Sequence, residues 1–163
     1  MIPTIKISEC FLLYLNDADS HIGKSPRNIH EQLSTLILPL GLPSHFHSVQ
    51  VLDQDEVTNC VADIVRGGKK AGSTKLLIAG GILEREVTLF ALHALAEGLD
   101  VFILADLISI ENDKYEKRYW ERLIQAGVVP TTFSQTIVEW IASESDPVFI
   151  EKLVAANSLL NNS

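Results

Sequence analysis

The sequence predicts a doubly wound α/β sandwich of three layers, a mostly parallel sheet with helices on both faces. Three observations carry that expectation. Thr74–Ser109 holds two short apolar runs, Lys75–Ala79 and Asp100–Ala105, separated by a helix-length segment. Neither run alternates apolar with polar residues, so both faces of both strands should be covered. Strand, helix and strand together fit the length of a parallel βαβ unit, about 30 residues. In such sheets ligands collect at the carboxyl ends of the strands, here the Gly80–Glu86 turn and the neighbourhood of Asp106.

The elements follow in chain order. FLLYL, within Glu9–Leu15, reads as the first and central strand, with Asn16–Ser20 as the loop at its carboxyl end. Ser25-Pro26 has the pattern of an N-cap and a first-turn proline. Ile29, Leu33, Leu36, Ile37 and Leu40 follow at helical spacing, and Pro39 and Gly41 end that helix. His45–Leu52 partly alternates and reads as a strand, with His45 and His47 on one face and Phe46 on the other. Asp53 and Glu56 form a capping-box pattern for a helix carrying Val57, Val61, Ile64 and Val65, which stops at Gly67-Gly68.

Glu84–Glu97 is the expected central helix, with Glu84 and Glu86 in its first turn and Gly98 in the C′ position. It is apolar nearly all round, so packing on more than one side is expected. Asn112–Ala126 reads as a helix with Tyr115, Tyr119, Leu123 and Ala126 as its apolar stripe, followed by a short strand at Val128-Val129. Thr132 and Gln135 begin a helix that runs through Ile141. Asp146-Pro147 opens the last helix, whose Phe149, Ile150, Leu153 and Val154 offer one apolar face.

Composition narrows the function classes. The 163 residues suit one domain, and no repeat, low-complexity tract or linker divides them. A net charge of −8 argues against nucleic acid or an anionic membrane as the partner. Cys10 and Cys60 both lie in apolar surroundings, as buried free thiols in a reducing cytoplasm would. The CFLLYL run is too short for a signal-peptide core and no run reaches transmembrane length, so neither a targeting segment nor a span is expected.

Two segments resemble the isochorismatase-like cysteine hydrolase superfamily. LLIAGGILEREVTLFALHALAEGLDVFILAD follows its strand–Gly–turn–helix–strand–Asp signature. RLIQAGVVPTTFSQTIVEW is similar to its later strand and the helix after it. Gly80, Ala91, Ala94, Gly98, Asp106, Gly127 and Thr132 all fall in register, within Thr74–Ile141. Between Leu42 and Asp53 the chain is shortened relative to the family.

The resemblance implies a Cys/Asp/Lys site, in which a thiolate at the N-terminus of the central helix attacks an amide-type carbonyl. A helix N-terminus lowers a thiol's pKa and helps to hold an oxyanion. Counted from Gly80 and back from Gly98, the nucleophile's position holds Glu86. The family's Asp falls at Leu15 or Asn16, or at Asp17 with one residue inserted. No lysine occurs between Lys24 and Lys69, where the family's Lys is expected. The resemblance further implies self-association.

Glu86 and Asp17 are therefore the candidate residues of a degenerate catalytic site, with Asn16, Gly80, Gly81, Ile82 and Asp106 as its pocket. Glu86 has a plain reading as a first-turn acid stabilised by the helix dipole, and a sharper one as a ligand or base. Glu84 matches an acidic position in one branch of the family that the chain resembles, and reads equally as an N-cap device. Asp17, Glu86 and Asp106 together could hold a hard cation; the alternative has Asp106 held by loop amides and Asp17 solvated. His45 and His47 have a spacing compatible with Zn²⁺, but two ligands fall short of the usual three. Gly80-Gly81 lacks the Lys-Ser/Thr of a phosphate loop, and no dinucleotide fingerprint occurs. No metal or cofactor is expected.

Three functions remain. The first is an isochorismatase-like protein that has lost its cysteine chemistry and serves in small-molecule binding, regulation or assembly. The second is a hydrolase of small amide- or isochorismate-like substrates, with Glu86 and Asp17 acting on water. The third is a metal-binding module built on His45 and His47. The missing thiol and lysine favour the first.

Overall fold

A computed structural model describes residues 9–17, 46–51, 63, 66, 67 and 74–161. Its centre is a five-stranded sheet of β1 (Cys10–Asp17), β2 (Phe46–Val51), β3 (Lys75–Gly80), β4 (Asp100–Leu104) and β5 (Val129–Thr131). The strand order is β2-β1-β3-β4-β5, and every neighbouring pair is parallel. The non-alternating runs are explained by burial on both faces. Phe11, Leu13 and Leu15 of β1 join Leu76, Ile78, Val101 and Ile103 in one core. Cys10, Leu12, Tyr14, Leu77, Ala79, Phe102 and Leu104 face a second core on the other side.

The helices divide between these cores. On the first lie α1 (Thr88–Ala96), which buries Phe90, Ala91 and Ala94, and α2 (Glu116–Ala126), which buries Leu123. On the second lie α3 (Phe133–Ser143), through Phe133, Ile137 and Trp140, and α4 (Pro147–Asn161), through Leu153 and Ala156. Helix, sheet and helix make the three layers the sequence predicts. The helices and turns expected before Lys75, together with His45 and Cys60, lie outside the described residues, apart from Asp63, Arg66 and Gly67.

Several boundaries differ from the sequence reading. Asn16 and Asp17 belong to β1 rather than to a loop, because β1 pairs with β2 as far as Asp17↔Val51 while its pairing with β3 ends at Leu15↔Gly80. The expected helix from Glu84 is two elements, a π-helical turn at Leu83–Val87 and then α1. Leu89 is 40% exposed, so α1 is not covered on every side. Tyr115 and Ala126 are also exposed, since α2 starts only at Glu116 and its buried side is carried by Leu123 with Tyr119 and Trp120. In α4 the buried positions are Leu153 and Ala156, and Val154 points outward.

The amino edge of the sheet is chemically closed. Lys75, buried at the start of β3, donates from Nζ to Glu9 Oε2 at 2.5 Å. Its register partner Cys10 is buried as well, and that burial pushes its thiol up to about 12, against the opposing effects of a Trp140 hydrogen bond and the Lys75 charge. Such a thiol carries no thiolate at neutral pH, in keeping with its reading as core.

Candidate functional site

The order β2-β1-β3-β4-β5 reverses direction between β1 and β3, and a crevice opens at the carboxyl ends of strands that part in this way. Gly80 and Gly81 lie at the carboxyl end of β3, with φ of +73° and +76°. A Cβ on Gly80 would stand 2.4 Å from the Leu15 carbonyl oxygen, so glycine is required there on both conformational and steric grounds.

After Gly81 the chain stays briefly in the sheet. Ser109 N–H donates to Gly81 O at 2.8 Å, and Leu83 N–H donates to Ser109 O at 2.9 Å. In a parallel ladder that pattern turns the N–H of the residue between, Ile82, away from Ser109 and toward β1. Among the described residues no strand meets it there. The acceptor is Glu86, whose Oε1 takes the Ile82 N–H at 2.7 Å. Glu86 is only 5% exposed, and a Cβ on Gly81 would come within 3.0 Å of the same oxygen and 3.1 Å of Glu86 Cγ. The carboxylate fits because Gly81 has no side chain.

The local backbone explains why Glu86 reaches back. In a capping box a Glu at the third helical position bonds the N-cap N–H. Here Ile82 is the N-cap and Glu86 the fourth position. The turn is π-helical, with Val87 N–H and Arg85 N–H both donating to Ile82 O. One extra residue in the turn moves the capping glutamate one place along the chain. Thr88 Oγ1 fastens the same turn by donating to Leu83 O at 2.6 Å.

Glu84 does not cap the helix. Its Oε2 accepts from the N–H groups of Glu111 at 2.7 Å and Asn112 at 3.0 Å, while its Oε1 is buried without a hydrogen-bond partner. Arg85 Nε donates to Glu111 Oε2 at 3.1 Å, and its Nη2 pairs with Glu111 Oε1. Three successive residues thus pin the turn at both sides. Sequence reasoning missed the partners of Glu84 and Arg85, which lie 26 to 28 positions away with no periodic signal linking them.

The other candidates separate. Asp106 sits in a short 3₁₀ turn after β4, and its Oδ1 accepts the Phe133 N–H at 3.1 Å. Partial burial raises its pKa, against the lowering effect of that hydrogen bond. Asp106 Oδ1 and Thr132 Oγ1, which accepts from Gln135 N–H, both bond backbone N–H groups at the N-terminus of α3. Asn16 and Asp17 are placed by their backbone one and two residues beyond the Leu15↔Gly80 pair, at the crevice edge. His47 lies on the outer strand β2. Among the described residues no three His, Cys, Asp or Glu side chains are grouped to hold a metal. The described thiol and buried ammonium, Cys10 and Lys75, are at the opposite end of the strands. At about 3.3 Å per residue, Lys75 is roughly 16 Å from Gly80.

The fold is shared by several solved structures. An isochorismatase-like hydrolase from Alkaliphilus metalliredigens superimposes with a TM-score of 0.58 at 14% identity, covering 81% of this chain and 99% of that one. The chain has the isochorismatase-like fold. The YcaC protein of Escherichia coli, described as an octameric hydrolase of unknown specificity, shares this isochorismatase-like architecture with a TM-score of 0.70 at 17% identity, over 98% of this chain and 95% of its own. A MAR1 ribonuclease from Caenorhabditis elegans follows at a TM-score of 0.64 and 15% identity, covering 94% and 93%. In sequence, the curated Escherichia coli protein "probable hydrolase YcaC" is 40% identical over 65 residues. That match spans 40% of this chain and 31% of the relative's length. No family model matches. The resemblance read over Thr74–Ile141 is borne out in the fold, and neighbours with different stated activities show that the isochorismatase-like fold alone does not name a reaction.

Proposed function

We propose that this protein is a relative of the isochorismatase-like hydrolases whose Cys/Asp/Lys chemistry has been lost, and that it serves in binding, regulation or assembly. One observation carries the reading: Glu86, at the position the resemblance gives to the nucleophile, is a buried carboxylate whose Oε1 accepts the Ile82 N–H. A general base must have an oxygen directed at water or substrate. Glu86 Oε1 is held by the backbone of its own turn. A carboxylate is also a poor nucleophile toward amides, and its charge opposes an oxyanion at the same place.

The test is a panel of amides, vinyl ethers and nitriles offered to the natural protein. No turnover above the buffer rate is expected. Turnover that disappears in Glu86→Gln would replace this reading with the Glu86/Asp17 hydrolase.

Self-association is part of the same proposal. Leu89 on α1 and Ile124 on α2, at 40% and 50% exposure, leave apolar side chains on the outer surface of that layer. The octameric state described for Escherichia coli YcaC is the precedent for covering such surfaces with further copies. Sedimentation at micromolar concentration should give a mass of at least two chains, and a single-chain mass would refute it. Among the described residues no helix is long and apolar enough to cross a membrane.

A further inference from the structure

We propose that Ser109–Asn112, the segment after β4, is a latch on the turn at Leu83–Val87, and that latch and turn release together while the sheet beside them stays closed. Contacts of different kinds join the two segments. Their backbones are laddered, with Ser109 N–H on Gly81 O and Leu83 N–H on Ser109 O. Side chains add a clasp: Glu84 Oε2 accepts the N–H groups of Glu111 and Asn112, and Arg85 pairs with the Glu111 carboxylate. A shared apolar patch completes the hold, since Leu83 and Val87 lie in the first core with Ile108 and Ile110. Neighbouring contacts of this sort are coupled, so weakening one weakens the rest.

The quality of the polar contacts sets this unit apart from the sheet. The side chains of Arg85 and Glu111 are 43% and 34% exposed, so salt screens their pair. Glu84 Oε1 is buried without a hydrogen-bond partner among the described residues. That oxygen is a cost of the closed state, and opening hydrates it, which offsets part of the loss of the bonds to Oε2. In the adjoining sheet, by contrast, Leu76–Ile78 pair with Val101–Ile103 between side chains that are fully buried. Local opening falls where buried contacts are fewest and exposed polar contacts carry the hold. The exposed ion pair is then the handle by which the ionic surroundings move the latch. The latch is independent of whether Glu86 catalyses.

Amide hydrogen exchange followed by NMR on the full chain tests the coupling. In about 0.01 M sodium chloride the amides of Leu83, Ser109, Glu111 and Asn112 should share one opening constant, larger than that of Leu77 in β3 or Phe102 in β4. About 1 M sodium chloride shortens the screening length to about 3 Å. It should speed the latch amides by a common factor of about 2–5, the worth of an exposed ion pair, and leave Leu77 and Phe102 unchanged. Arg85→Gln should reproduce that acceleration at low salt and abolish the response to salt.

Glu84→Ala removes the acceptor of Glu111 and Asn112 only. It should nevertheless speed Leu83 and Ser109, which its side chain does not bond, by about tenfold, the worth of hydrogen bonds to a charged group. Acceleration confined to Glu111 and Asn112 would overturn the proposal. So would Leu83 and Ser109 rates indifferent to both salt and Arg85→Gln, or latch amides that exchange only as slowly as Leu77 and Phe102. Should Glu84→Ala fail to fold, the salt series on the natural protein and the Arg85→Gln variant decide the matter.

Discussion

Gly80→Ala should remove most of the protein's stability. The position combines a φ of +73° with a backbone neighbour that cannot yield. An alanine methyl would stand 2.4 Å from the carbonyl oxygen of Leu15 and 2.8 Å from the Tyr14 ring. Leu15 belongs to β1, which is paired on both sides, so relief means parting the central strands. The left-handed conformation costs a non-glycine residue about 1–2 kcal/mol, and the contact should bring the total to the order of 4 kcal/mol. Against a typical stability of about 5–15 kcal/mol, that is a large share. Gly98→Ala is the control. Its φ is +86°, but a Cβ there meets nothing within 4 Å, so only the conformational cost should appear. Urea unfolding of both variants separates strain from collision. Equal losses would show that the Leu15 contact is relieved without penalty.

Glu86→Cys should place a thiol at the position that the resemblance gives to the nucleophile and still give no catalyst. Chemistry of the family's kind needs a basic partner for the thiol. Among the described residues the buried ammonium is Lys75, held by Glu9 at the other edge of the sheet. The substitution also has a structural cost. The Ile82 N–H loses its acceptor in a buried setting, which costs about 1–3 kcal/mol, more than loss of a dipole interaction alone. Iodoacetamide labelling should confirm a new thiol, while the substrate panel shows no gain over the natural protein. Measurable turnover by Glu86→Cys would mean that a base reaches the crevice from elsewhere.

The layered fold was legible because burial leaves a direct mark on strand composition. Runs such as LLIA and VFIL lack alternation since β3 and β4 are covered on both faces, and Gly98 follows α1 where the helix stops. The place of Gly80-Gly81 and Glu86 after β3 was legible too. The wiring around them was not. A π-helical turn differs from an α-helical one by a single residue, and apolar periodicity does not resolve that difference. Asn16 and Asp17 extend β1 because β2 lies beside them, a fact about a partner strand rather than about their own identities. The bond that Asp106 accepts from the α3 N-terminus spans 27 positions, a pairing the local sequence does not announce.

The π-helical turn at Leu83–Val87 also sets the rotational phase of α1. Each residue of an α-helix turns the next by about 100°, so one residue more or fewer ahead of it re-aims the whole element. The backbone of Arg85, at φ −119° and ψ −110°, departs from helical values within that turn and absorbs the added length. With the chain one residue shorter there, the direction now taken by Phe90, Ala91 and Ala94 would pass to their neighbours. Leu89 would swing from the surface toward the sheet, and Phe90 would leave the core. The turn that buries Glu86 thus doubles as an indexing device: the spacing between Gly81 and Phe90 is fixed in whole residues, whatever chemistry the crevice carries.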